Sequence, residues 1–327
     1  MDYRRLGSTG LQVSRLCLGC GNFGGVGSAP AFFGKGEDEA QAAELMDRAR
    51  EAGITVFDTA DAYGGGRSET YIGNWLSRKG SSVRDLLVLS SKVFNPVGPG
   101  VNQRGLSRVH IVRQVEASLR RLRTDRLDLY LIHDVDPATP IDETLRALDD
   151  IRRAGKVLYL GASNVEAWRL ARAQGLSAAE GLARFEFVQN SYSLLDRSAE
   201  RELFSYCAAA GVGFTAYSPL AGGWLTGKYR RDTPFPEGSR MTMRPEPYRH
   251  FQTDQIFSAL DTLAAEARDR RVSTGTIALA WVLARAPVDA AIIGARRPAH
   301  LEESLAALTV SLTAADVDRL SVLFTPA

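Results

Sequence analysis

The chain has 327 residues, of which 45% are hydrophobic, 24% charged and 8% aromatic, a composition typical of a soluble globular protein. Forty basic residues against 38 acidic ones leave a net charge of +2, which excludes nucleic-acid binding driven by bulk charge. No apolar run approaches the ~20 residues of a membrane span, and no signal peptide follows Met1. The three cysteines give no disulfide framework. We therefore expect a cytoplasmic protein without a membrane partner.

A hairpin and eight further strands are predicted along the chain. The hairpin is expected where Tyr3–Arg5 and Leu11–Ser14 flank the turn residues 7–10. The later runs are aliphatic or β-branched and mostly do not alternate with polar residues, which favours parallel strands buried on both faces. These eight runs are Arg15–Gly19, Thr55–Ala60, Leu87–Lys92, Asp128–His133, Val157–Ser163, Phe185–Asn190, Gly213–Ser218 and Ala290–Ala295.

Helical patterns fill the intervals between the strands. The helix predicted over residues 107–123 begins after Ser107 as its N-cap. Its predicted apolar face is formed by Val112, Val115, Leu119 and Leu122. The next helix is expected to begin with Thr139 as its cap and Pro140 in its first turn, and to end at Gly155.

Eight strand–helix units predict a single (β/α)8 TIM barrel over residues 1–327, with the N-terminal hairpin closing its bottom. A doubly wound sheet is the alternative, because it uses the same βαβ unit. Two irregular stretches, 19–36 and 232–249, each follow a strand. We therefore expect both on the C-terminal rim, where barrels build their active sites.

Several motifs are weak signals. Residues 19–24 match the dinucleotide fingerprint, but further glycines follow where a helix must begin. Residues 222–228 have P-loop spacing, but Tyr229 stands where a magnesium-binding hydroxyl is required. Cys17 and Cys20 have no second cysteine pair, so we expect no metal site.

Ionisable side chains end three consecutive predicted strands. Asp58 lies at the end of the second strand and is followed by Tyr63, while Lys92 and His133 end the third and fourth. Taken singly, Asp58 is equally well explained as a turn acid, Lys92 as a solvated cap and His133 as a rim histidine. Taken together, they are better explained by one site.

The chemistry of such a site follows from the side-chain types. Lys92 can favour the phenolate of Tyr63, Asp58 can hold the ammonium, and His133 can donate to a carbonyl oxygen. These groups would protonate an oxygen that gains negative charge, which carbonyl reduction by hydride requires. Because no side chain supplies hydride, a nicotinamide must do so.

Seven short stretches, in this order, resemble those of the aldo-keto reductases along essentially the whole chain. They are Phe57–Gly66, Ser90–Lys92, Leu131–His133, Gly161–Asn164, Val188–Asn190, Ala216–Leu220 and Gly294–Ser304. The resemblance implies a (β/α)8 barrel that binds NADP(H) without a Rossmann domain. It also implies a catalytic tetrad of Asp58, Tyr63, Lys92 and His133, with Tyr63 as the proton donor.

The same resemblance implies the cofactor contacts. Residues matching those that bind the nicotinamide are Ser163, Asn164 and Gln189 for its amide and Tyr217 for its ring. Residues matching the pyrophosphate segment are Ser218, Leu220 and Gly222, with charge added by Lys228. Residues matching the adenosine end are Gly294, Arg296, His300 and Glu303, although His300 and Ser304 depart from the residues of many members.

Arg296 and Arg297 precede a predicted helix N-terminus, which favours NADP(H) over NAD(H) because only NADP(H) carries a 2′-phosphate. The expected substrate is a small aldehyde, ketone or alcohol. Asp134 suggests a sugar, although a solvated carboxylate explains it equally well. The alternatives are a cofactor-sensing regulatory subunit and, less well supported, a cofactor-free lyase or hydrolase. The oligomeric state is left open.

Overall fold

The computed structural model describes residues 1–324, and ten strands lie within that range. They are β1 (Tyr3–Arg5), β2 (Gln12–Ser14), β3 (Leu16–Gly19), β4 (Val56–Asp58), β5 (Val88–Val93), β6 (Leu127–Ile132), β7 (Val157–Ser163), β8 (Phe185–Ser191), β9 (Gly213–Tyr217) and β10 (Val288–Ile293). β1 and β2 form an antiparallel hairpin. β3 to β10 form a closed parallel barrel in which β10 pairs with β3.

Closure of the barrel excludes the doubly wound sheet and confirms the predicted (β/α)8 architecture. The bounds of all eight barrel strands lie within two residues of those predicted. The prediction succeeds because strands buried on both faces are continuous apolar runs that end abruptly at polar or glycine residues. The last three residues of the predicted domain, 325–327, lie outside the described part of the chain.

The hairpin closes the bottom of the barrel, as predicted. Leu6, between its strands, is fully buried against side chains that fill the barrel interior. These include Cys17, Val56, Val88, Leu129, Leu131 and Phe187. Gly7 has φ +53°, and a Cβ there would overlap the backbone nitrogen of Gly213, so only glycine fits at this close approach.

Twelve helices lie within the described residues. They are α1 (Glu39–Glu51), α2 (Arg67–Lys79), α3 (Ser81–Arg84), α4 (Arg108–Leu122), α5 (Ile141–Arg153), α6 (Ala167–Glu180), α7 (Leu203–Ala210), α8 (Arg240–Met243), α9 (Asp254–Asp269), α10 (Thr274–Ala284), α11 (Pro298–Ala306) and α12 (Ala314–Leu323). Their buried faces join the outer surface of the barrel in the main hydrophobic core.

Two details of the predicted helices are wrong. On α4, Ser107 is the N-cap as predicted, but Val112 is 37% exposed and Ile111 is buried in its place. The buried face follows the i, i+4 spacing from Ile111, so Val112 is rotated out of it. At α5 the cap is Pro140, because the Thr139 hydroxyl instead donates to Asp136 Oδ2 at 2.8 Å.

Both irregular stretches lie on the C-terminal rim, as predicted. Residues 19–36 follow β3 and approach the ring of Tyr63, which lies 3.5 Å from the position of a Cβ on Gly21. The stretch over 232–249 contacts them, since Arg240 Nη2 donates to Asn22 Oδ1 at 2.7 Å. The two loops therefore form one wall of the rim.

Candidate active site

Adjacent parallel strands bring Asp58, Tyr63, Lys92 and His133 together at the rim. Asp58 ends β4, Lys92 lies on β5, and His133 follows β6 directly. Tyr63 begins a short 3-10 turn after β4. Because these strands pair in register, their carboxyl ends lie side by side.

Asp58 and Lys92 form a buried ion pair. Lys92 Nζ lies 2.6 Å from Asp58 Oδ2 and donates to the carbonyl of Thr59 at 2.9 Å. The other carboxylate oxygen of Asp58 accepts from Ser90 Oγ at 2.9 Å and from Gln189 Nε2 at 3.0 Å. Burial opposes the charged form of Lys92, but Asp58 and Tyr63 outweigh it and raise its pKa, so the ammonium stays charged.

Tyr63 lies between this cation and His133. The Lys92 ammonium is 5.1 Å from the centre of the Tyr63 ring, and the phenolic oxygen is 3.3 Å from His133 Nε2. Burial raises the pKa of Tyr63; Lys92 lowers it, Asp58 raises it, and the net direction is upward. The predicted acidification by Lys92 is therefore outweighed by burial, and the hydroxyl keeps its proton at neutral pH.

His133 is a neutral imidazole. Burial and the charge on Lys92 lower its pKa to about 3. Its Nδ1 lies 3.0 Å from Asn95 Nδ2, and its ring meets that of Tyr63 edge-on, with ring centres 5.4 Å apart. A protonated phenol and a neutral imidazole beside a fixed cation can together donate to an oxygen that develops negative charge.

Four further predicted residues surround the tetrad. Ser163 Oγ donates to the carbonyl of Gln189 at 2.8 Å, and Asn164 Nδ2 donates to the carbonyl of His133 at 2.9 Å. The Tyr217 hydroxyl donates to Asn164 Oδ1 at 2.7 Å. The structure therefore brings Ser163, Asn164, Gln189 and Tyr217 together beside the tetrad.

Positive charge collects further along the rim. Although much of the Lys228 side chain is exposed, its pKa is lowered by partial burial of the ammonium and by Arg240, Arg296 and Arg297. Arg296 Nε donates to Glu37 Oε1 at 2.8 Å, which neutralises only part of this charge. We call Lys228, Arg240, Arg296 and Arg297 the cation cluster. Guanidinium and ammonium groups in such excess suit a ligand that carries phosphate groups.

The other predicted cofactor residues flank the cluster. Arg297 Nε donates to His300 Nε2 at 3.0 Å. Burial and the charge on Arg297 lower the pKa of His300, and the charge of the exposed Glu303 partly opposes them. Ser218 and Leu220 lead into the turn that holds Gly222, where a Cβ would overlap the ring of Tyr248. Gly294 follows β10 and is exposed.

Sequence reasoning missed several residues of the site. Ser90 lies within the stretch Ser90–Lys92 that the family resemblance already marks. Asn95 lies three residues after Lys92, so its position just beyond a strand end is the signal that could have identified it. Glu37, Arg240 and Tyr248 lie in or next to the two stretches predicted on the rim, but the sequence offers no local pattern for their contacts with distant segments.

Within residues 1–324, no group of three or more histidine, cysteine, aspartate or glutamate side chains is arranged to hold a metal ion. Over the same residues, none of the helices has both the length and the apolar character required to cross a membrane.

Comparison with known proteins gives a consistent match. The sequence model described as the Aldo/keto reductase family matches residues 15–323. Uncharacterized oxidoreductase YrpG of Bacillus subtilis (strain 168) is 38% identical over 322 residues, which cover 95% of this chain and 92% of that protein. Versiconal hemiacetal acetate reductase of Aspergillus parasiticus is 31% identical, covering 100% and 98%. A probable voltage-gated potassium channel subunit beta of Arabidopsis thaliana is 33% identical, covering 95% and 92%.

Proposed function

The chain belongs to the aldo/keto reductase family, and we propose that this oxidoreductase uses NADP(H) to interconvert small aldehydes or ketones and their alcohols. The observation that carries the proposal is the convergence of Asp58, Tyr63, Lys92 and His133 at the rim. A cofactor-free lyase or hydrolase is less well supported, because it leaves the cation cluster without a role.

In the reductive direction, Tyr63 donates its phenolic proton to the carbonyl oxygen as that oxygen gains negative charge. His133 donates a hydrogen bond to the same oxygen from Nε2. The ammonium of Lys92 stabilises the phenolate that Tyr63 becomes, and Asp58 holds the ammonium in place. In the oxidative direction the phenolate takes the proton back from the alcohol.

Nicotinamide, when bound, supplies or accepts the hydride. We assign Ser163, Asn164 and Gln189 to its amide and Tyr217 to its ring, and their position beside the tetrad supports this assignment. The pyrophosphate is assigned to Ser218, Leu220, Gly222 and Lys228. The adenosine end is assigned to Gly294, Arg296, His300 and Glu303.

The preference for NADP(H) over NAD(H) is supported by charge. Arg296 and Arg297 precede α11, so the positive end of the helix dipole adds to their charge. Arg296 reaches Glu37 through Nε, and its Nη1 donates to the carbonyl of Gly238 at 3.1 Å. These contacts hold the guanidinium in one position beside the start of α11, which supports its assignment to a 2′-phosphate.

NADPH oxidation across aldehydes, ketones and aldoses, with identification of the alcohol products, tests the proposal. Aldoses are included because Asp134 borders the site, although its Oδ1 also accepts from the backbone nitrogen of Val135 at 2.8 Å. We expect turnover with at least one class and weaker activity with NADH. Tight NADPH binding with no turnover of any compound would contradict the enzyme proposal.

That contrary result would favour the second candidate, a regulatory subunit that senses the cofactor. Its support is the similarity to a protein named as a probable potassium channel subunit beta. A docking surface would be expected as an apolar patch on the outer helices. The large exposed apolar side chains on described helices are instead distributed over α4, α6 and α12, at Val109, Val112, Trp168 and Val322.

A further inference from the structure

Both ring nitrogens of His133 have a polar neighbour. Nε2 lies 3.3 Å from the hydroxyl of Tyr63, and Nδ1 lies 3.0 Å from the side-chain nitrogen of Asn95. Asn95 lies two residues beyond the end of β5, in the loop that leads to α4. The amide nitrogen of asparagine carries hydrogens and no acceptor site, so in this arrangement it donates and Nδ1 accepts.

A neutral His133 ring carries one N–H proton, on either Nδ1 or Nε2. Lys92 on β5 is the cation that faces it, with Asp58 on β4 paired behind that ammonium. Tyr63 faces it from the turn after β4. Asn164 Nδ2 donates to the backbone carbonyl of His133 and not to its ring. The carboxylate of Asp134, the residue after His133, accepts from the backbone nitrogen of Val135. The pKa of His133, lowered to about 3, keeps the imidazole neutral through the physiological range. A neutral imidazole whose Nδ1 accepts must carry its proton on Nε2.

We propose that Asn95 is a positioning residue that fixes the tautomer of His133, so that Nε2–H faces the oxygen beside Tyr63. The inference rests on the proposed reductase function, because it gives His133 the hydrogen that a carbonyl oxygen needs. In the opposite tautomer, the lone pair of Nε2 would accept from the Tyr63 hydroxyl. The phenolic proton of Tyr63 would then point toward His133 and away from the substrate oxygen.

The tautomer can be observed without cofactor or substrate. Protein labelled with ¹⁵N-histidine contains four histidines, and a His133→Gln variant assigns the resonances of His133. In the wild type we expect Nδ1 to have the chemical shift of an unprotonated nitrogen and Nε2 that of a protonated one. In Asn95→Leu the two shifts should move toward each other. In Asn95→Asp, whose carboxylate can only accept, Nδ1 should become protonated.

Kinetics then show whether the tautomer is used. Asn95→Leu should lower kcat about tenfold with little change in KM, less than the ~10²-fold cost of removing an oxyanion donor outright. Asn95→Asp should introduce a new pH dependence. The added carboxylate raises the pKa of His133, so Nε2 keeps its proton at low pH, and activity should decline as pH rises through that pKa. Asn102→Asp, at an exposed position of the same loop, is the matched charge control and should leave the profile unchanged.

The two measurements separate this inference from the proposed function. Unchanged His133 shifts in Asn95→Leu would overturn the tautomer assignment, whatever the activity of the wild type. If the shifts change as expected and the wild type reduces carbonyls, a wild-type kcat in Asn95→Leu would also overturn the inference. A wild type that shows the expected shifts but no turnover would remove the proposed function and leave the assignment of the tautomer intact.

Discussion

Lys92 Nζ lies 2.6 Å from Asp58 Oδ2, and the Lys92 side chain is completely buried. Ser90 and Gln189 donate to the other oxygen of the same carboxylate, so the pair is embedded in a hydrogen-bonded network. Because a buried charge is costly without its partner, stability and chemistry depend on the same contact.

Lys92→Met should therefore lower both the free energy of unfolding and the rate of carbonyl reduction. It leaves the Asp58 carboxylate buried without its cation, which costs about 3–5 kcal/mol in the free energy of unfolding. Urea unfolding measures this loss. The exposed pair Arg78–Glu39, at 3.4 Å, provides the control, since Arg78→Met should cost about 1 kcal/mol or less. Asp58→Asn combined with Lys92→Met should recover part of the stability and none of the carbonyl reduction. Equal losses in the free energy of unfolding for Lys92→Met and Arg78→Met would show that the buried pair is no more important to stability than the exposed one.

Asp61 should make stability depend on pH. It is 2% exposed, and burial together with the charge on Glu69 raises its pKa well above the usual value. From the unfolded pKa of about 3.9 upward, the folded protein retains a proton that the unfolded chain releases. The free energy of unfolding therefore loses this contribution as pH rises. The stability of Asp61→Asn relative to the wild type should thus increase from about pH 4 to pH 7. A difference that stays constant across this range would show that Asp61 is ionised when folded.

Arg296→Ala should weaken NADPH binding selectively. One charge-assisted contact contributes about 1.5–3 kcal/mol, roughly a ten- to hundredfold change in affinity. NADH, which has no 2′-phosphate, should bind almost as before. The difference should shrink at high salt, because the Arg296 side chain is 41% exposed. Arg120→Ala, on the exposed face of α4, removes the same charge away from the rim and should affect neither cofactor. Fluorescence titration at low and high salt measures both affinities, and equal losses for NADPH and NADH would exclude this role.

Much of the barrel could be predicted because its strands are buried on both faces. Asp58, Lys92 and His133 each follow an apolar run, and parallel strands bring such positions to one rim, so the tetrad could be inferred from spacing together with a family resemblance. Local patterns were less reliable at helix starts. Thr139 has the residue type of a cap, but its hydroxyl bonds to Asp136 instead.

Contacts between distant segments could not be predicted. The bond from Gln189 to Asp58 joins β8 to β4, and the pairing of Arg296 with Glu37 joins two loops of the rim. The pKa of Tyr63 illustrates the same limit. Its neighbour Lys92 was correctly expected to lower it, but the larger opposing effect of burial depends on how the rim loops pack.

Single-turnover NADPH oxidation by Tyr63→Phe shows whether Tyr63 protonates the substrate oxygen. The substitution keeps the ring and removes only the hydroxyl, so fold and NADPH affinity should match the wild type. Tyr192→Phe is the matched control, because it removes another part-buried hydroxyl, bonded to Glu200, away from the tetrad. We expect Tyr63→Phe to reduce the carbonyl at least ~10²-fold more slowly than the wild type, and Tyr192→Phe to keep its rate. Reduction by Tyr63→Phe at a rate near that of the wild type would show that another group protonates the substrate oxygen.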